Sequence, residues 1–70
     1  MKRAAVLKKL NQAAKEVGKD FSLTELTNHT GVTVGQTRST LGRHSKIDDD
    51  TARKFFDQYA KELGKAWWRK

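Results

Sequence analysis

The chain has 70 residues, no cysteine, no proline and a formal charge of +7. That length holds a single domain, residues 1–70, and a domain this small takes only about 60% of its unfolded surface out of water. With no thiol, neither a disulfide nor a thiolate–metal staple can add to its stability. No apolar run is long enough for a membrane span or a secretory signal, so a membrane partner is not expected, and the missing cysteine fits a cytoplasmic protein.

Residues 3–17 predict an amphipathic helix. Val6, Leu10, Ala13 and Val17 recur along one stripe with Leu7 and Ala14 beside them, and lysines fill the opposite face. Gly18 is a natural stop, because glycine takes a left-handed backbone without a Cβ penalty. Phe21 and Leu23 then alternate with polar residues, as a half-buried strand would, over 21–26. Thr30, Val32, Thr33, Val34 and Thr37 are β-branched and suit a pleated surface. Gly35 and Gln36 form a Gly-X pair that fits a tight hairpin, so strands are expected near 30–34 and 37–42. A second helix is predicted over 51–63, with Ala52, Phe55, Phe56, Tyr59, Ala60 and Leu63 on its apolar stripe and Gly64 at its end. Asp48, Asp49 and Asp50 stand where carboxylates cap a helix and complement its dipole, a commoner use of clustered acids than metal binding. The order is α-β-β-β-α: an α+β fold with a three-stranded antiparallel sheet against two helices. No repeat, proline-rich linker or low-complexity segment interrupts it.

Residues 23–41 (LTELTNHTGVTVGQTRSTL) have a rival organisation, a DNA-binding helix-turn-helix. Gly31 and Val32 would form the turn, with Leu26 before it and Leu41 ten residues after Gly31. Thr27 and Thr37 stand where that motif wants apolar residues. A recognition helix over 33–41 would also contain Gly35 and four β-branched residues, the glycine alone costing ~1 kcal/mol.

The excess charge is shared by three segments. Residues 1–19 carry six Lys/Arg against Glu16 alone; Arg38, Arg43 and Lys46 follow; Lys65, Arg69 and Lys70 end the chain. Residues 47–64 hold five acids against three bases. A solvated surface is the plain reading of such charge, but its spread over separate segments favours a basic face for a polyanion. Lys8, Lys9 and Lys15 would form the helical part of that face.

Both histidines, His29 and His44, flank the expected hairpin. Imidazole is the side chain whose ordinary proton affinity suits acid–base chemistry near neutrality. RNA is cut without a metal when a base takes the proton of a 2′-hydroxyl, which attacks the adjacent phosphate while an acid protonates the leaving oxygen. A nearby cation stabilises the added charge, and Arg38, Arg43 or Lys46 could hold phosphate. A lone histidine in a small basic protein is more often an ordinary surface residue. Zinc binding by the pair is not expected, since no cysteine is present and the spacing fits no finger; no cofactor is implied. Trp67 and Trp68 either extend the core against the first helix or offer a stacking platform for bases or an anchor for a protein partner.

The chain resembles the HicA-type toxins, the mRNA interferases of bacterial toxin–antitoxin pairs, and most of all their short actinobacterial-style members. Asn28 and His29 match the step that opens a strand in that family. Gly35 matches the hairpin glycine, and Gly42, Arg43 and His44 match an x-R-H step. His44, Ile47, Thr51 and Ala52 match the H-x-x-I-x-x-x-T-A entry into the last helix, and residues 63–68 (LGKAWW) match its end. It departs from the pattern at Gly42 and at Thr27 and Asn28, where many relatives carry proline and glycine. The resemblance implies a double-stranded-RNA-binding-like fold, a metal-independent endoribonuclease of the stress response with His29 as catalytic residue, mRNA as substrate, and a HicB-like antitoxin as partner; His44, one strand away, could help as a second, catalytic histidine.

Overall fold

The computed structural model describes residues 1–69; Lys70, counted above in the C-terminal basic cluster, lies outside the described residues. The first helix, α1, runs Arg3–Glu16 and buries Val6, Leu10 and Ala14. It ends in a Schellman motif: Lys19 N–H donates to the Ala14 carbonyl at 2.8 Å and Gly18 N–H to that of Lys15 at 3.1 Å, with Gly18 at φ +71°. Val17 departs from the expected stripe. The helix stops one residue earlier, Val17 becomes its C-cap, and its side chain is 48% exposed.

Three antiparallel strands follow in the order β1-β2-β3, namely Phe21–Glu25, His29–Val34 and Thr37–Gly42. Val34 pairs with Thr37, so Gly35 and Gln36 alone make the turn. Gly35 has φ +59° and Gln36 does not have positive φ, the pattern of a type II′ hairpin. Residues 33–41 are thus a hairpin, which removes the structural basis of the helix-turn-helix alternative.

Register sets the two faces of the sheet. Thr30, Val32 and Val34 point inward and are fully buried. Their cross-strand partners Glu25, Leu23 and Phe21 on β1, and Leu41, Ser39 and Thr37 on β3, share that face. Leu23, expected half-buried, is 47% exposed, because β1 is an edge strand there and the helical layer does not reach over it.

The expected second helix is two pieces, α2 (Asp49–Asp57) and α3 (Ala60–Leu63). Gln58 and Tyr59 N–H groups donate to Phe55 and Phe56 carbonyls, tightening the chain to i→i−3 bonds at 3.2 and 3.0 Å. Two side chains fix this break. The Tyr59 hydroxyl donates to the Val32 carbonyl at 2.7 Å, and Trp67 Nε1 donates to the Phe56 carbonyl at 3.0 Å. None of the three aspartates caps α2 through a side-chain hydrogen bond. Asp49 and Asp50 instead lie in its first turn, where they complement the dipole; Asp49 also pairs with the terminal ammonium at 3.3 Å and Asp50 with Arg53.

The core joins the α1 stripe and the inner sheet face to Ile47, Ala52, Phe55, Phe56, Tyr59 and Trp67. Phe56 and Trp67 meet edge-to-face at 5.0 Å, as do Phe55 and Tyr59 at 5.2 Å. Trp67 is therefore a core residue. Trp68 is half-buried, donates to Asp57 at 2.8 Å and carries Arg69 over its ring at 5.1 Å. No helix among the described residues is long and apolar enough to cross a membrane.

Burial pushes the Tyr59 hydroxyl up from 10.0 to about 12, against a smaller opposing effect of a Ser39 backbone hydrogen bond. Its folded value exceeds its unfolded one, so its contribution is complete below pH 10 and is lost as pH rises through about 12. The loss amounts to roughly 2–3 kcal/mol. Tyr59→Phe should be less stable than the parent at neutral pH, by about 1 kcal/mol for the lost hydrogen bond, yet decline less between those limits. Denaturant titrations at several alkaline pH values test this; parallel declines in the two proteins would contradict it. Tyr59 is the only tyrosine, so tyrosinate absorbance reads its ionisation directly.

Candidate functional site

Alternation along β2 places His29 on the outer face of the sheet, away from the helices. It opens the strand, is exposed, and pairs with Gly42 on β3. His44 follows two residues later. Its Cδ2 lies 3.6 Å from where a Cβ on Gly42 would stand. Cβ positions directly opposite in an antiparallel pair are about 4.5–5.5 Å apart, so the two imidazoles come to the same corner over the bare Gly42 backbone. The sequence placed them 15 positions apart; the hairpin brings them together.

Arg38 belongs to the same face. It pairs with Thr33, and its guanidinium reaches back across Gly31. A Cβ at Gly31 would lie 3.0 Å from Nη2 and 3.2 Å from Nε of Arg38. Gly31 is two residues from His29, about 7 Å along the strand, and among the described residues Arg38 makes no hydrogen bond or salt bridge. The corner thus offers two imidazoles and one uncommitted planar cation.

Behind this corner, on the inner side, a polar chain ties the strand ends together. Arg3 donates from Nε to the Gly42 carbonyl at 3.1 Å and from Nη2 to the Thr30 hydroxyl. Thr30, fully buried, donates to Glu25 Oε1 at 2.9 Å. Arg43 Nη2 donates to the same carboxylate at 3.0 Å. The Thr30 hydroxyl, and after it the Arg43 and Arg3 charges, hold the Glu25 carboxyl below its usual range. Arg43 also donates to the carbonyls of Thr27 at 3.4 Å and of Leu26. It clamps the turn that leads into His29 while its side chain stays 46% exposed. Glu25 and Arg43 are well exposed, and salt should weaken their pairing. In Arg43→Gln we expect faster motion of residues 26–29 with little change in overall stability, to be read by amide relaxation; an unchanged loop would contradict the clamp.

The remaining basic residues divide. Lys46 is exposed beyond β3 and bridges backbone to backbone with Lys2, which brings the two lysines side by side near the same end of the sheet. Lys8 and Lys15 are exposed on the side of α1 opposite its buried stripe. They and His29 therefore face opposite surfaces of a two-layer fold, not one continuous face. Lys9 is half-buried at the helix border, its ammonium 6.0 Å above the Phe56 ring. Sequence reasoning did not single out Arg3, Thr30 or Lys2. Arg3 reaches Thr30 and Gly42 across 27 and 39 positions and Lys2 meets Lys46 across 44, and no local pattern announces such contacts. No group of three His, Cys, Asp or Glu side chains among the described residues is placed to hold a metal. Comparison with protein-family models, curated proteins and solved structures returns no match.

Proposed function

We propose that the protein is an endoribonuclease that cuts single-stranded RNA by metal-independent transesterification, acting as the HicA-type toxin its sequence resembles, on mRNA in the cytoplasm and under restraint by a HicB-like antitoxin. The observation that carries the proposal is that His29 and His44 both border Gly42, His29 across the strand pair and His44 with Cδ2 3.6 Å from its Cβ site, with Arg38 over the next pair along. One imidazole takes the proton of a 2′-hydroxyl as its oxygen bonds to phosphorus. The other, protonated, gives its proton to the 5′-oxygen as the P–O5′ bond breaks. Arg38 offsets the charge that builds on the phosphoryl oxygens. His29 is the stronger candidate for the base, because the clamp formed by Arg43 and Glu25 fixes the backbone that carries it.

The test is a pair of oligonucleotides of one sequence, one ribose and one 2′-deoxyribose throughout, incubated with the purified protein and a chelator. The ribose strand should be cut and the deoxyribose strand left whole, since only the first has the attacking hydroxyl. Cleavage of both, or of neither, would contradict the mechanism.

A further inference from the structure

We propose that single-stranded RNA lies along the open outer face of the sheet, not along the basic face of α1, with Arg38 seated over Gly31 as the central phosphate contact. This rests on the RNA-cleaving reading and adds where the strand runs and how it is held.

Charge is the first ground. The helices cover only the inner face of the sheet. On the outer face, register sets Ser22, Thr24, Thr33 and Thr40 around Arg38 and His29. No Asp or Glu occupies an outward position within the three strands; Asp20, whose carbonyl accepts from Gly35 N–H, stands just before β1 at the hairpin end of that face. Glu25, the one acid within a strand, points inward to Thr30. A polyanion laid from Arg38 toward His29 meets hydroxyl donors and one guanidinium, and no strand carboxylate. The exposed ends of α2, by contrast, carry Asp49, Asp50 and Asp57.

Pre-organisation is the second ground. The absent side chain at Gly31 leaves a gap in the central strand, and the Arg38 guanidinium lies in it, 3.0 Å from the site of a Cβ. A planar fork already laid on the sheet gives up less freedom on binding a phosphate than a free side chain does. Its place, one pair along from His29, puts a phosphate held by Arg38 next to the imidazoles.

The face also limits what is read. Apart from the imidazoles at one corner it carries no aromatic ring; the core and the C-terminal segment hold every Phe, Tyr and Trp. Without Phe, Tyr or Trp there is no extended stacking platform of the kind most single-strand binders use, so contact is chiefly with the backbone and sequence preference should be slight. A single strand is required because in-line attack needs the 2′-oxygen, phosphorus and 5′-oxygen in a row, which stacked A-form duplex geometry prevents.

The experiment uses a 2′-O-methyl RNA single strand, which has no attacking hydroxyl and stays uncut. Titrated into the wild-type protein, it should shift the amides of Thr24, Gly31, Thr33 and Thr40, and leave those of Lys8 and Lys15 in place. Arg38→Ala should weaken binding about tenfold or more and reduce the salt slope by ~0.7. Gly31→Ala keeps every charge but sets a methyl 3.0 Å from the guanidinium and 3.3 Å from the Thr24 carbonyl; the side chain gives way more readily than the strand, so it too should weaken binding. Arg38→Lys should restore only part of the affinity, and Lys8→Ala with Lys15→Ala should cost less than Arg38→Ala alone. Shifts centred on α1, tighter binding of duplex than of single strand, or an unchanged affinity in Arg38→Ala would overturn the proposal. Because the probe is never cut, this result is independent of cleavage. Failure to cut ribose RNA would sink the enzymatic reading and leave the binding face standing, whereas binding elsewhere would sink the face and leave the histidine chemistry standing.

Discussion

His29→Ala is expected to slow RNA cleavage by a factor of ~10²–10⁴, the usual effect of removing a positioned acid or base. The fold should survive. His29 is exposed at the start of β2 and lies outside the core cluster, and its strand pairing depends on backbone groups that alanine keeps. Binding should survive as well, since the phosphate contact is assigned to Arg38 and the affinity of a +7 chain for RNA is chiefly a matter of counterion release. The informative result is therefore a split: cleavage lost, thermal unfolding and affinity for uncut RNA unchanged. In cells, growth inhibition should disappear with the activity. A His29→Ala protein that cuts as fast as its parent would show the site to be wrongly assigned, with His44 the next residue to test.

Phe56→Ala should have the largest effect on stability, about 3–5 kcal/mol for an aromatic side chain cut out of a packed core. Phe56 is 2% exposed. Its ring stands 5.0 Å from that of Trp67, 6.3 Å from that of Phe55 and 6.5 Å from that of Trp68, with the Lys9 ammonium 6.0 Å above it. It joins the helical layer to the C-terminal segment, and the cavity it leaves cannot be filled by collapse of one neighbour. At roughly 0.05–0.15 kcal/mol per residue, the whole domain has only about 4–10 kcal/mol to lose. Urea unfolding followed by tryptophan fluorescence should show a midpoint lowered by roughly a third or more, down to a chain already unfolded if the parent sits at the low end of that range. A loss below about 1 kcal/mol would mean that Phe56 does not bridge these layers.

Much of the fold was legible because its signals are local. The stripe of Val6, Leu10 and Ala14, the Gly18 stop and the Gly35 turn each depend on residues within a turn or two of one another, and α1, the three strands and their order followed. What was not legible depends on distant partners. The break at Gln58 and Tyr59 is held by hydrogen bonds to Val32 and from Trp67, 27 and 11 positions away, so an unbroken apolar stripe read as one helix. Of the candidate site residues, His29, His44 and Arg38 were named from residue type; register puts His29 and Arg38 on one face, and His44 borders it beside Gly42. That Arg43 also clamps the turn before His29 was not legible, because a free arginine and a clamping one look alike in sequence. Lys8 and Lys15 were joined to the histidines because charge along a chain does not say which layer of a fold it will face.

The chemistry at this corner is tested most directly by the ends left on single-stranded RNA cut by the wild-type protein in the presence of a chelator. Attack by a 2′-oxygen on its own 3′-phosphate must leave a 2′,3′-cyclic phosphate on one fragment and a 5′-hydroxyl on the other. Mass spectrometry of the fragments should find that pair. Fragments with a 3′-hydroxyl and a 5′-phosphate, or RNA that is cut only when a divalent metal is supplied, would contradict the mechanism assigned to His29 and His44.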